Sequence, residues 1–265
     1  MPYIELANGR VWYDERGQGE ALVLLHGGAV DSRFFGNVIP GLAERFRVIS
    51  TDLWGHGRSP DREEPFSLES FAADVAELIE RIAGGRAHVL GHSIGAGVAL
   101  KLVVQRPDLV ARHVQISGGF DVEADTPPQG SPDIDHMVSQ TVAFLGASYG
   151  EVSPDGAEHF AVVTRKDFEM SAREPRFAVD QIRGIEHRTL VMVADDDITP
   201  IWHQVDFYRA LPNGELAVVP GTSHFLLQEK PDVCNAILLD FLANDPVATV
   251  APVHRAGAQP AAADA

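Results

Sequence analysis

A five-residue segment with glycine at both ends, Gly91-His92-Ser93-Ile94-Gly95, lies between an apolar run and a helix-like stretch. A serine at a sharp strand-to-helix turn has a strained backbone, and the positions two residues before and after it must lack bulk. Glycine meets that requirement, so the segment predicts a nucleophilic serine at position 93. By composition alone, such a match arises in roughly one chain in ten of this length. The residues that follow Ser93 are therefore needed to decide whether Ser93 is a nucleophile.

An acid and a histidine follow Ser93, each directly after an apolar run that predicts a strand. The run 189–194 precedes three consecutive aspartates, and the run 216–219 precedes a loop that contains His224. A histidine can take the proton of a serine hydroxyl, and a carboxylate can orient that histidine and stabilise its charged form. The chain order of serine, acid and histidine indicates acyl-transfer chemistry.

Strand-like and helix-like segments alternate through most of the chain. Short apolar runs at 21–25, 47–50, 87–90 and 114–117 are separated by predicted helices at 34–44, 68–83 and 94–105. Asn8-Gly9, between the strand-like segments 3–6 and 10–14, predicts a two-residue hairpin. We therefore expect an α/β fold with a mostly parallel, doubly wound sheet and an antiparallel hairpin at its start.

The alternation stops after residue 119 and resumes near residue 187. Helical patterns occur between these points at 133–147, 155–171 and 177–183, and a last helix is expected at 231–242. The predicted organisation is a core of residues 1–119 and 187–245, a helical insertion at 120–186 and a disordered Ala/Pro-rich tail at 246–265.

Several motifs together resemble the α/β-hydrolase family. They are His26-Gly27-Gly28 after an early strand, the segment 52–59 (DLWGHGRS), the serine segment, the aspartate turn and the late histidine. The resemblance covers residues 3 to about 242. It implies the α/β-hydrolase fold, with the insertion acting as a helical cap between strands 6 and 7, and it implies that Ser93 is the nucleophile and His224 the base.

The family usually shows a glycine, two variable residues and then the catalytic aspartate after the acid strand. Ala194 stands at the glycine position, so the resemblance assigns the acid to Asp197. Adjacent carboxylates repel one another when ionised, so Asp195 and Asp196 are expected to point to solvent. Asp121, after the preceding strand, is the alternative acid, because some family members place it there.

The negative charge that develops on the substrate oxygen requires hydrogen-bond donors already in place. The amide of Ile94 follows the nucleophile directly and begins a helix, whose N-terminus adds positive potential. The matching family position for the second donor is Gly28, with Ala29 as the neighbouring alternative. Gly27 and Gly28 let this loop approach the substrate without a side chain in the way.

Other residues near these motifs have predicted supporting positions. We expect His26 to brace the oxyanion loop and His92 to pack beneath the serine turn. Trp54 is a candidate for contact with substrate, and the lone Cys234 is expected to be buried against a helix. The candidates for lining the pocket from the insertion are Phe144, Tyr149, Phe160 and Met170.

Composition narrows the classes of partner. The formal net charge is −17, from 38 acidic and 21 basic residues, and such a field repels nucleic acid and anionic membrane surfaces. No apolar run is long enough to span a bilayer, and neither a dinucleotide fingerprint nor a metal signature is present, so we expect no cofactor and no metal. The segment 1–19 lacks a basic stretch followed by an apolar one, which favours a cytoplasmic protein of unknown oligomeric state.

These features predict a serine hydrolase that cleaves a small carboxylic ester or lactone through an acyl-Ser93 intermediate, as the resembling carboxylesterases and enol-lactonases do. A serine nucleophile argues against the dehalogenases and epoxide hydrolases of the family, which attack with aspartate. Carbon–carbon bond hydrolases usually carry Asn before the nucleophile and Trp after the histidine, where this chain has His92 and Phe225. That activity, cofactor-free peroxidase activity and a ligand-binding role without turnover stay open as alternatives.

Overall fold

A computed structural model describes residues 3–121 and 133–251, and these residues form an eight-stranded sheet flanked by helices. The strands are β1 (Tyr3–Leu6), β2 (Gly9–Arg16), β3 (Glu20–Leu25), β4 (Phe46–Asp52), β5 (Ala87–His92), β6 (Val110–Ile116), β7 (Thr189–Asp196) and β8 (Gly214–Ser223). The helices are α1 (Ile39–Leu42), α2 (Leu68–Arg81), α3 (Ile94–Gln105), α4 (Ile134–Gly150), α5 (Phe160–Ser171), α6 (Val179–Arg183), α7 (Ile201–Ala210), α8 (Leu226–Glu229) and α9 (Pro231–Ala243).

The strand order across the sheet is β1-β2-β4-β3-β5-β6-β7-β8. Strand β2 pairs antiparallel with both β1 and β4, and the remaining neighbours pair parallel. The prediction of a mostly parallel sheet with an antiparallel hairpin at its start is confirmed. Because the strands from β3 to β8 are parallel, their carboxyl ends, and the loops that follow them, meet at one edge of the sheet.

Both faces of the central strands are buried, which explains why their sequences are continuously apolar. In β3, Leu22 and Leu24 pack in the layer that contains α1 and α9, whereas Val23 and Leu25 pack in the layer that contains α2 and α3. Burying each such side chain stabilises the fold by about 1.5 to 3 kcal/mol. The two layers hold the loops at the carboxyl edge on a rigid base.

The predicted single helix over 34–44 is wrong. The chain instead forms a 3₁₀ turn at Ser32–Phe35 and the separate short helix α1. Pro40 lies in the first turn of α1, where its missing N–H costs no hydrogen bond, so the sequence starts a helix there rather than continuing one. Helix α7 was not predicted, although α2 begins after Ser67 as expected, with the Ser67 hydroxyl accepting the Ser70 N–H at 3.1 Å.

We call residues 133–186, between β6 and β7, the cap segment; it contains α4, α5 and α6. Helix α5 begins at Phe160 instead of near residue 155, because Gly156 has a φ of +84° and interrupts the helical backbone. The predicted insertion includes residues 122–132, which lie outside the described residues, as do residues 252–265 of the predicted tail. Among the described helices, none is long and apolar enough to cross a membrane.

Candidate active site

Ser93 lies at the turn between β5 and α3 with a φ of 55° and a ψ of −118°, a backbone conformation that L side chains rarely adopt. The glycines around it are sterically required. A Cβ on Gly91 would lie 2.1 Å from the Gly95 carbonyl oxygen, and a Cβ on Gly95 would lie 2.1 Å from the Leu25 carbonyl oxygen. Close backbone packing therefore holds Ser93 at the carboxyl edge of the sheet.

Asp197 and His224 meet at the same edge, after β7 and β8. The Nδ1 of His224 donates to Asp197 Oδ1 at 2.8 Å. Asp197 Oδ2 accepts the hydroxyl of Ser117 at 2.5 Å, and Oδ1 also accepts the Thr199 amide at 3.1 Å. Burial alone would raise the pKa of Asp197, but the hydrogen bond and charge of His224, with the donors of Ser117 and Thr199, lower it below its ordinary value. The carboxylate is thus held in its charged form.

The bond from Nδ1 leaves Nε2 of a neutral His224 ring as a proton acceptor. His224 and Ser93 line one cavity of about 540 Å³, so the geometry brings the predicted base and nucleophile to a common space. Asp195 and Asp196 are both exposed, and Asp195 also accepts the Thr222 amide at 3.0 Å in the loop before His224. Asp121 forms a β-bridge with Arg176. The carboxylate that contacts His224 Nδ1 belongs to Asp197.

The loop after β3 lies against the serine turn. A Cβ on Gly27 would be 3.0 Å from the Ser93 Cβ, and a Cβ on Gly28 would be 2.6 Å from Ile94 Cδ1. The amides of Gly28 and Ile94 donate no hydrogen bond to another described residue, whereas the Ala29 amide donates to Asp167 Oδ2 at 2.8 Å. Of the predicted oxyanion donors, Gly28 and Ile94 are available and Ala29 is already engaged.

Two histidines connect these parts. His26 accepts the Leu53 amide on Nε2 at 2.9 Å, and its Nδ1 donates to the Gly27 carbonyl at 2.7 Å. His26 therefore ties the loop after β3 to the segment after β4. His92 Nε2 donates to the carbonyl of His224 at 2.9 Å. Burial, followed by the charge of His224, lowers the pKa of His92 to about 3, so His92 is a neutral donor that positions the His224 backbone.

The model of the alpha/beta hydrolase family matches residues 22–237. The chain belongs to this family. An uncharacterised protein of Mycobacterium tuberculosis is 37% identical over 103 residues, a match that spans 39% of this chain and only 30% of that protein. The 2-hydroxy-6-oxo-6-phenylhexa-2,4-dienoate hydrolase of Burkholderia cepacia is 26% identical, over 90% of this chain and 93% of that protein.

Two solved structures show the same fold. Est816, described as an N-acyl homoserine lactone degrading enzyme, has a TM-score of 0.74 at 24% identity and covers 91% of this chain and 100% of its own. The enol-lactonase from Burkholderia xenovorans LB400 has a TM-score of 0.72 at 18% identity, with 92% of this chain and 100% of that chain covered. The mostly parallel sheet described above is therefore an alpha/beta hydrolase core.

Three residues of this alpha/beta hydrolase site were missed by the sequence analysis. Ser117 has a φ of 50° at the end of β6, directly before Gly118-Gly119, and this Ser-Gly-Gly turn after a strand was the signal for it. His56 lies inside the motif at 52–59, whose sequence does not single it out. Asp167 has no local signal, because it is one of many polar residues in the helical pattern of α5.

The cap segment forms one wall of the cavity. Phe144 and Met170 line it as predicted, whereas Tyr149 and Phe160 pack on each other with ring centroids 4.7 Å apart. Trp54 is 1% exposed and packs edge to face on a core phenylalanine, so the predicted contact with substrate is wrong. Among residues 3–121 and 133–251, no group of three or more His, Cys, Asp or Glu side chains is placed to hold a metal ion.

Proposed function

We propose that the chain is a serine hydrolase that cleaves a small carboxylic ester or lactone through an acyl-Ser93 intermediate. The observation that carries the proposal is the shared cavity of Ser93 and His224, in which His224 is oriented by the buried carboxylate of Asp197. The family membership supports hydrolysis in general.

In the proposed reaction, His224 Nε2 takes the proton of Ser93 as the hydroxyl oxygen attacks the substrate carbonyl carbon. The Gly28 and Ile94 amides stabilise the resulting oxyanion, and Asp197 stabilises the imidazolium. The tetrahedral intermediate then expels the alcohol, which takes its proton from His224. Water, activated by the same histidine, adds to the acyl-enzyme and releases the acid and free Ser93.

The charges of the cavity disfavour a negatively charged ester or lactone. Among the described residues that line it, the ionisable side chains other than His224 are Asp167 and Glu174, and none is Lys or Arg. The Burkholderia cepacia relative is named for a dienoate, which carries a carboxylate. A carboxylate would be repelled here, so the wall argues against that carbon–carbon hydrolysis, in agreement with His92 and Phe225 in the sequence.

Hydrolysis of p-nitrophenyl esters from acetate to laurate, together with unsubstituted small lactones, tests the proposal. We expect wild-type turnover and a loss of about 10³-fold or more in kcat for Ser93→Ala. Ser139→Ala is the matched control, because Ser139 is exposed on α4 and does not line the cavity, and it should retain full activity.

A rate that survives unchanged in Ser93→Ala would contradict the proposed nucleophile. If wild type hydrolyses none of these esters or lactones, the proposed reaction is wrong. Binding of the same esters to that inactive protein would then assign the cavity to a ligand-binding role.

A further inference from the structure

Asp167 on α5 is a carboxylate buried between the cap segment and the oxyanion loop. It is 3% exposed, and it lines the cavity that contains Ser93. Its Oδ2 accepts the Ala29 amide at 2.8 Å and lies 3.0 Å from His56 Nε2. A Cβ on Gly28 would be 3.1 Å from the Asp167 carboxyl carbon, so the group adjoins the proposed oxyanion donors.

The hydrogen bonds around His56 indicate the charge of the pair formed by His56 and Asp167. Its Nε2 faces Asp167 Oδ2, and its Nδ1 faces the Trp54 carbonyl oxygen at 3.2 Å. Both partners accept, so both ring nitrogens donate and the ring is an imidazolium. Burial opposes this charge, but Asp167 raises the pKa of His56 above its ordinary value. His56 and Asp167 thus form a buried ion pair that uses one of the two carboxylate oxygens.

The second oxygen is unused. Asp167 Oδ1 has no hydrogen-bond partner among the described residues, and neither has the hydroxyl of Thr164, which is fully buried. The two residues are three apart on α5 and therefore share a helix face, and both line the cavity. Buried polar groups without a partner are rare in folded proteins, so these two atoms on one side of the cavity stay unsatisfied unless a group from outside the chain reaches them.

We propose that Asp167 Oδ1 and Thr164 Oγ1 form a subsite that binds a hydroxyl or ammonium group of the substrate. The inference rests on the proposed ester or lactone hydrolysis and narrows its substrate class. Because the subsite adjoins Gly28, the donor group lies within two or three bonds of the carbonyl that Ser93 attacks. The preferred substrate is an ester or lactone with a hydroxyl or ammonium substituent near its carbonyl, and Asp167 and Thr164 are its specificity-determining residues.

Three ethyl esters of similar size test the subsite: butanoate, 3-hydroxybutanoate and 3-aminobutanoate in its ammonium form. We expect wild type to show a kcat/KM at least about tenfold higher for a substituted ester than for butanoate, since sites built for a hydrogen-bonding group strongly reject analogues without it. A larger gain with the ammonium ester indicates ion pairing with Asp167, and a larger gain with the hydroxy ester indicates a neutral hydrogen bond.

Two variants assign that preference to the named atoms. Thr164→Val keeps the shape and removes a hydroxyl that has no described partner, so the protein should fold and the preference should fall about threefold or more. Asp167→Asn should lower the preference about tenfold or more, mainly because kcat/KM falls for the two substituted esters. Thr141→Val is the matched control, because Thr141 also lines the cavity but lies on α4, and its preference should equal that of wild type.

No preference in wild type, or an unchanged preference in both variants, would overturn the subsite. An equal loss for all three esters in Asp167→Asn, with no effect of Thr164→Val, would also overturn it, because Asp167 would then act only by holding the Ala29 amide. Calorimetric binding of the esters to Ser93→Ala separates the two proposals. If Ser93→Ala binds the substituted esters more tightly than butanoate but wild type hydrolyses none of the three, the hydrolase reaction is rejected and the subsite is retained.

Discussion

The serine turn and the cap segment contribute to the same cavity but are held in place differently. At the serine turn, groups close in the chain fix the site, as in the contact between Gly91 and Gly95. In the cap segment, Asp167 is positioned by Ala29, which lies 138 residues away along the chain. Local backbone geometry therefore positions the nucleophile, whereas long-range polar contacts position Asp197, His224 and the wall that faces the rest of the substrate.

The serine turn and the cap segment also differ in how many of their helical residues are buried. Helix α3 behind Ser93 buries most of its residues, whereas α4 in the cap segment buries only Val138 and Tyr149. A substitution on α4 disturbs few core contacts, so α4 can change its cavity-facing residues without loss of the core. Substrate choice and reaction chemistry are thus separable in this molecule.

The largest expected effect is at the acid that orients His224. Asp197→Asn keeps the shape but favours the wrong His224 tautomer, and we expect kcat to fall on the order of 10³- to 10⁴-fold. Asp196→Asn, with an exposed side chain, should retain at least about half of the activity, and Asp195→Asn should lose only a few-fold through its bond to Thr222. Ester hydrolysis by the three purified variants measures this. Equal losses in all three would refute Asp197 as the acid.

The same contrast explains what the sequence revealed. Ser93, Asp197 and His224 could be predicted because each follows an apolar strand at a position with local constraints, and the parallel sheet brings such positions to one edge. The roles of Asp167 and Ala29 could not be predicted, because their contact depends on how the cap segment docks on the core. Pro40 marks the break in the helix predicted over 34–44, because proline favours the first turn of a new helix.

A second test compares one glycine from each region, both within helices. Gly95→Ala places a Cβ against two backbone carbonyl oxygens, at 2.1 Å from Leu25 and 2.5 Å from His26, and should destabilise the protein by about 3 kcal/mol or more. Gly146→Ala on α4 places a Cβ in ordinary contact with Phe160 at 3.5 Å and Val142 at 3.6 Å, and it should stabilise the protein by about 0.5 to 1 kcal/mol. Urea denaturation measures both. A tolerated Gly95→Ala would contradict the claim that close backbone packing holds Ser93.

A third test concerns the acid sensitivity of the core. His113 on β6 is fully buried, and burial, followed by the charge of His187, lowers its pKa to about 3. In the unfolded chain its pKa is about 6.5, so between these values the unfolded state binds a proton that the folded state does not. Stability should therefore be complete above pH 6.5 and fall as the pH decreases, by about 1.4 kcal/mol per pH unit for this residue.

His113→Leu should remove that part of the pH dependence, so that its free energy of unfolding decreases less steeply than that of wild type between pH 6 and pH 4. His136→Leu is the control from the cap segment, because His136 is exposed on α4 and its side chain contacts Gln140. Urea denaturation at each pH gives both slopes. An unchanged slope in His113→Leu together with a reduced slope in His136→Leu would place the acid sensitivity in the cap segment. The buried core would then not be the region whose protonation lowers stability.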